Sequence, residues 1–134
     1  METLQVKTQA RMQFVDITSR VKEAVSKTGI RDGIAVVYVP HTTAGVTINE
    51  AADPSVVQDI QEKLAKLVPY RDAYTHSEGN SDAHIKTAVV GSSVHLIVSG
   101  GSPLLGTWQG VFLCEFDGPR TRKVFIKAIP DKIS

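Results

Sequence analysis

GIAVVYVP, residues 33–40, is an almost unbroken apolar run rich in β-branched side chains, and the fold turns on its reading. Bounded by Gly33 and Pro40, it is too short for a helix and has the composition of a strand. A run without polar alternation reads as a strand covered on both faces and central in its sheet. The next segment, HTTAGVTINE (41–50), does alternate. Extended, it sends Val46 and Ile48 to one side and Thr43, Thr47 and Asn49 to the other. His41, leaving the apolar strand, falls on the polar side.

Upstream, LQVKTQ (4–9) reads as a first strand, extendable through RMQFVDI (11–17). DITSRVKEAVSKTG (16–29) carries a helix signal: Thr18 or Ser19 as cap, Ile17, Val21 and Val25 four residues apart, and Gly29 as the stop. Downstream, DPSVVQDIQEKLAKLV (53–68) is the clearest helix. Asp53 is its N-cap, Pro54 suits the first position, and Val56, Val57, Ile60, Leu64 and Leu67 form a stripe. After a polar loop, PYRDAYTHSEGNS (69–81), the run SDAHIKTAVVG (81–91) reads as a short helix. Ser81 or Asp82 would cap it, Ile85, Ala88 and Val89 would face the core, and Gly91 would end it. SSVHLIVSG (92–100), GVFLCEFDG (110–118) and TRKVFIKAI (121–129) close the chain as glycine-punctuated strands, expected to be antiparallel neighbours. This order predicts an α+β fold: one domain, residues 1–134, with a large, mainly antiparallel sheet and two to three helices.

Fifteen basic residues against fourteen acidic ones leave the chain almost neutral, with no basic stripe for nucleic acid or an anionic membrane. The single cysteine, Cys114, excludes an intrachain disulfide and a thiol-only metal site. METLQVKTQARMQFVDIT (1–18) has no apolar signal-like core, and no run approaches membrane-spanning length. A cytoplasmic, soluble protein is expected.

HSEGNSDAH (76–84) holds two of the four histidines. Gly79 allows the loop to fold back, so His76 and His84 can aim at one point. Imidazoles suit zinc, and three protein ligands with an open position mark a catalytic site. The competing reading is a solvated loop histidine beside one at a helix start. His41 is either a third ligand or a simple strand end. His95, mid-strand among apolar neighbours, is expected to be a core or edge histidine with one hydrogen bond. Glu115 interrupts an apolar strand on the face of Val111 and Leu113. Exposure on a half-solvated sheet is the preferred reading; if buried, desolvation would raise its pKa and suit acid–base work. Trp108 is assigned to the core by default. Gln109, between Gly106 and Gly110, reads as a polar group aimed by a turn. No phosphate-loop, dinucleotide or nucleophile-elbow motif occurs, which disfavours serine or cysteine nucleophiles.

Together and in this order, PHTTAGVTINE (40–50), HSEGNSDAHIK (76–86) and LLGTWQGVFLCEFDGPRTR (104–122) resemble the YjbQ-like family, some of whose members are called secondary thiamine-phosphate synthases. The likeness runs from about Val15 to Ala128. It implies a compact α+β domain assembling as a homotrimer, with a divalent metal near the histidines. It also implies that His41, Thr42, Thr43, Asn49, Glu50, His76, Asn80, His84, Gln109 and Glu115 are shared polar residues.

The resulting expectation is a metal-dependent enzyme acting on a small phosphorylated or otherwise anionic metabolite, a transferase or hydrolase, with thiamine-phosphate synthesis as a side activity. His41, His76 and His84 would hold zinc, and Glu115 or Glu50 would serve as acid or base. Asn49 and Gln109 would orient substrate, while Thr42, Thr43, Asn80, Arg120 and Arg122 would bind its anionic part. The alternative is a non-catalytic trimeric module binding a metal or small molecule in the same pocket. A purely structural trimer would leave the histidines and the polar strand face without a use.

Overall fold

The computed structural model describes residues 1–132, so the last two positions of the expected domain lie outside the described residues. Along the chain run β1 (Glu2–Lys7), β2 (Gln13–Asp16), α1 (Thr18–Lys27), β3 (Gly33–Tyr38), β4 (Ala44–Glu50), α2 (Pro54–Leu67), α3 (Ser81–Val90), β5 (Ser93–Ser99), β6 (Ser102–Pro103), β7 (Gln109–Glu115) and β8 (Thr121–Pro130). The α+β class with antiparallel pairing and three helices is as expected. The strands are divided between a five-stranded sheet, β1-β8-β3-β5-β6, and a three-stranded sheet, β2-β7-β4.

Two strand expectations are corrected. The segment 4–17 is two strands in different sheets, since β1 pairs with β8 and β2 with β7. The closing strands are antiparallel but not neighbours: β7 lies between β2 and β4, while β8 lies between β1 and β3. Alternation explains the layout. Val111 and Leu113 of β7 enter the main core, and Phe112 and Cys114 enter a second apolar cluster on the opposite side. The main core joins β1, β3, β5 and β8 to α1 and to β4 and β7. The second cluster lies under α2 and α3, with Phe14, Phe116 and Ala83 in it.

β3 is central, as read, but only one of its faces is covered. Ala35, Val37 and Val39 are buried, whereas Ile34 and Tyr38 are 47% and 46% exposed. Ile34 pairs with Ile97 on β5 and Ile129 on β8, both also exposed, and Tyr38 stacks on Phe125 at 6.4 Å. Fully burying such a side chain is worth about 1.5–3 kcal/mol, so this open face forgoes a large stabilisation.

The helices show how local chemistry sets boundaries. In α2 the Asp53 carboxylate accepts from the Ser55 amide at 3.0 Å and the Ser55 hydroxyl at 2.7 Å, an N-cap as expected. No residue of α2 is buried, so its stripe lies half-open. Helix α1 starts at Thr18, with Asp16 supplying the cap: it accepts from the Thr18 amide at 2.9 Å. This frees the Thr18 hydroxyl to accept from the Val111 amide. Gly29 ends α1 at φ +73°, where a side chain would be strained.

Helix α3 faces the opposite way from its pattern. Asp82, Ala83, Lys86 and Thr87 are buried, while Ile85 and Val89 are 40% and 67% exposed. The cause is an ion pair: the Lys86 Nζ donates to Asp82 Oδ2 at 2.8 Å, one turn apart and dry, and Arg11 grips the other side of the carboxylate. Among the described residues no helix is long and apolar enough to cross a membrane.

Candidate functional site

The 69–80 loop and the first turn of α3 bring His76 and His84 together, with ring centres 5.5 Å apart and planes nearly perpendicular. They line an open cleft of about 440 Å³ with Tyr74, Thr75, Ser81 and Ile85. Glu78 stands 3.7 Å from His76 Nε2. Tyr74 closes the loop by donating its hydroxyl to the Pro69 carbonyl. The expected caps Ser81 and Asp82 are inside the first turn of α3, and Asn80 is the residue before it. Two imidazoles on one tetrahedral zinc, with Zn–N about 2.0–2.1 Å, place their ring centres about 5 Å apart. The His76–His84 separation fits that geometry. Among the described residues, however, no group of three or more His, Cys, Asp or Glu converges on a metal-sized point.

His41 does not complete the set. The strand begins only at Ala44, so residues 41–43 are an irregular approach to it, and His41 is not a member of the β4 polar face. Its Nε2 accepts from the backbone amide of Lys123 at 2.9 Å. A neutral imidazole accepting at Nε2 carries its proton on Nδ1, so neither nitrogen has a free lone pair for a metal. Burial and the nearby Arg122 guanidinium hold the His41 pKa below its usual value, despite Glu115. His41 is therefore a neutral donor in cationic surroundings. It lines a second cleft, of about 370 Å³, with Thr42, His84, Thr87 and Ser92. The Thr87 hydroxyl in that wall is buried and has no hydrogen-bond partner.

Glu115 is fully buried, not exposed. Burial alone would raise its pKa. Hydrogen bonds from Arg122, the Asp117 amide and the Thr8 hydroxyl, together with the Arg122 charge, outweigh burial and hold it below the ordinary carboxylate range. An ionised carboxylate accepting from Thr8 Oγ1 at 2.8 Å, Asp117 N at 3.1 Å and Arg122 Nε at 2.8 Å is poorly placed to exchange protons. Arg122 is 4% exposed, and its Nη2 also donates to Thr43 Oγ1 at 2.8 Å. Glu115, Arg122 and Thr43 thus form an internal clasp between the two sheets. In this structure the Glu115 oxygens, the Thr43 hydroxyl and most of the Arg122 donors are engaged with one another inside that clasp.

Arg120 stays accessible, although it donates to the Asp117 carbonyl at 2.8 Å and to the Asp117 carboxylate at 3.1 Å. Asn80 donates to that same carboxylate at 3.0 Å, while its own Oδ1 is buried without a partner. Thr42 is exposed beside His41.

Asn49, Glu50 and Gln109 lie elsewhere. Register pairs Ala44 with Glu115 and Glu50 with Gln109 at opposite ends of β4 and β7. At about 3.4 Å per residue the two ends are about 20 Å apart. Asn49 Oδ1 accepts from the Glu50 amide, Glu50 from the Ala52 amide, and Gln109 Oε1 from the Gly106 amide. Trp108 is 63% exposed at this end and is not in the core. His95 is exposed on the open sheet face, not buried in the core.

The sequence reading missed the Arg11–Asp82–Lys86 group. Burial would raise the Asp82 pKa, but bonds from Arg11 and Lys86 and their charges pull it down. The Arg11 guanidinium also stacks 3.7 Å from the centre of the Tyr70 ring, fastening the loop that carries His76. An Asp–Lys spacing of four was visible in SDAHIK, yet such pairs ordinarily lie on a solvated helix face.

The family described as UPF0047 protein YjbQ-like matches residues 2–131. The chain is similar to a UPF0047 protein of Methanocaldococcus jannaschii, 57% identical over 96% of this chain and 93% of the relative. It is 49% identical to UPF0047 protein YugU of Bacillus subtilis, covering 95% of this chain and 97% of that one. Among solved structures, a YjbQ/UPF0047 family protein from Clostridium acetobutylicum superposes with a TM-score of 0.94. It is 53% identical, covering 96% of this chain and 100% of that one.

Proposed function

Since the chain belongs to the YjbQ-like UPF0047 family, we propose that it is a metal-binding enzyme acting on a small phosphorylated or otherwise anionic metabolite. The observation that carries this reading is the His76–His84 pair, two imidazoles 5.5 Å apart in an open cleft. A divalent ion, most suitably zinc, would be held by these two histidines and by a further donor from outside the protomer. Bound there, it would supply Lewis-acid polarisation of a phosphoryl or carbonyl oxygen, or of water. The chain's own groups bind and orient. His41 presents Nδ1–H and Thr42 its hydroxyl to an anionic oxygen, Arg120 supplies a nearby positive charge, and Glu78 faces His76. Transfer or hydrolysis at a phosphorylated centre fits this set, with thiamine-phosphate synthesis as a side activity. The open apolar face of the five-stranded sheet favours assembly, a homotrimer being our reading.

A non-catalytic module is the second reading. It is favoured by the fixed Glu115, which leaves the His41 end without an evident carboxylate base. Elemental analysis of untagged protein after zinc loading tests the metal claim. About one zinc per chain, falling more than tenfold in affinity in His84→Ala, is expected. Less than a third of an equivalent in the parent protein would end it. Turnover of phosphorylated metabolites then separates enzyme from module, and its absence across a broad panel favours the module.

A further inference from the structure

Two separate parts of the chain carry the histidine pair. His84 rides on the first turn of α3, whereas His76 belongs to the 69–80 loop. Among the described residues, the hydrogen bonds made by residues 71–79 stay inside that loop. The Ala73 amide donates to the Asp72 carboxylate, the Tyr74 amide to the Asp72 carbonyl, and the Tyr74 hydroxyl to the Pro69 carbonyl. The loop's polar ties to the rest of the molecule therefore lie near its two ends. At the far end Asn80 donates to Asp117 at 3.0 Å. At the near end the Tyr70 ring lies against the Arg11 guanidinium, whose central carbon is 3.7 Å from the ring centre.

Arg11 serves the helix as well. Its Nη1 and Nη2 donate to the two oxygens of Asp82, each at 3.0 Å, and Asp82 precedes His84 in the first turn of α3. The backbone of Arg11 is itself fixed, its carbonyl accepting from the Gly118 amide at 3.0 Å. A planar guanidinium can grip a carboxylate along one edge while stacking its face on a ring, which an ammonium cannot do. We propose that Arg11 is the positioning residue of the histidine pair, a single side chain setting both the helix that carries His84 and the loop that carries His76. Its hydrogen bonds reach neither histidine, so it acts only through Asp82 and Tyr70. The pair is thereby held at its 5.5 Å separation before any metal arrives. A loop ordered only at the moment of binding would subtract its ordering cost from the affinity, and a loop already anchored does not.

This inference rests on reading the pair as a metal site, and metal-free protein tests it separately. Tyr70→Leu removes the stacked ring and leaves the buried ion group whole. Arg11→Lys keeps a positive charge but loses both the fork and the flat face. Lys86 still neutralises Asp82 at 2.8 Å, so that variant keeps its fold. In the metal-free parent, a nuclear Overhauser contact between the His76 and His84 rings is expected, and it should persist in Tyr70→Phe, which retains the ring. It should disappear in Tyr70→Leu and in Arg11→Lys, while the urea midpoint of Tyr70→Leu stays close to that of Tyr70→Phe. Zinc affinity should fall about tenfold in Arg11→Lys, the effect of losing a group that orients a ligand. The double variant should lose no more than Arg11→Lys alone, because both changes break one shared contact. A ring-to-ring contact absent from the parent, or kept at parental strength in both single variants, overturns the proposal, as do zinc losses that add in the double variant. A parent that takes up no zinc ends the metal reading above, and the Overhauser comparison in metal-free protein then decides the role of Arg11 by itself.

Discussion

Replacing Glu115 by Gln tests the clasp between the sheets. The carboxylate is fully buried, and the Arg122 side chain is only 5% exposed. The introduced amide would keep one acceptor but turn its NH₂ toward donors of Arg122, Thr8 or the Asp117 amide. Removing one charge from a buried pair leaves the other uncompensated, at a cost of about 3–5 kcal/mol. The loss should appear in urea unfolding at fixed protein concentration as a lower midpoint with an unchanged slope. Pairing Glu115→Leu with Arg122→Met removes both charges, and at least half of the loss should return. The pH profile carries the same signature. Because the folded pKa lies below the unfolded one, the carboxylate's contribution is present above the unfolded value near 4. It disappears as pH falls through the lowered folded pKa, so the parent should lose its advantage over Glu115→Gln in acid. A single-variant cost below about 1 kcal/mol, the range of exposed pairs, would refute the buried-clasp argument.

Three further outcomes follow from the same geometry. Long-range ¹H–¹⁵N spectra should show His41 protonated at Nδ1 and remaining neutral below the ordinary histidine range; its contribution to stability should be present above about pH 6.5 and be lost as pH falls through its lowered folded pKa. Gly45→Ala should destabilise by at least about 1–3 kcal/mol in thermal or urea unfolding, since its Cβ would meet the Gly91 carbonyl oxygen at 2.4 Å and backbone cannot yield cheaply. Arg120→Ala should weaken phosphate binding by calorimetry with little change in unfolding midpoint, its surface pair with Asp117 being worth about 1 kcal/mol or less.

Hydrophobic period made much of this fold legible. GIAVVYVP gave away a central strand, HTTAGVTINE an alternating one, and the Asp53–Pro54 start a helix, because each signal is local and strong. The misreadings have a common origin in partners distant along the chain. Helix α3 turns its charged side inward because Arg11, seventy-one positions from Asp82, meets it in space. Glu115 reads as solvent-exposed in the sequence because its counter-charge lies on another strand, across the sheet-to-sheet interface. His76 and His84 were predictable as a pair because only a short loop separates them. The fate of His41 depended on one backbone amide, that of Lys123, which spacing could not reveal. Trp108 and the open face of β3 were misplaced for another reason: apolar content predicts covering, but not whether the chain itself supplies the cover.

The pairing of β1 with β8, Glu2 opposite Ile126, has a consequence for how the molecule is made. Synthesis delivers β1 first, yet its only neighbour in the sheet emerges last among the described strands. β3 likewise lies between β8 and β5, both still to come. The five-stranded sheet therefore cannot close until β8 has left the ribosome. Such distant pairings require loop closure before they return any stabilisation, which places folding in the slow regime of milliseconds to seconds. Meanwhile GIAVVYVP waits as an unpaired apolar strand, the segment most exposed to mispairing with another nascent copy.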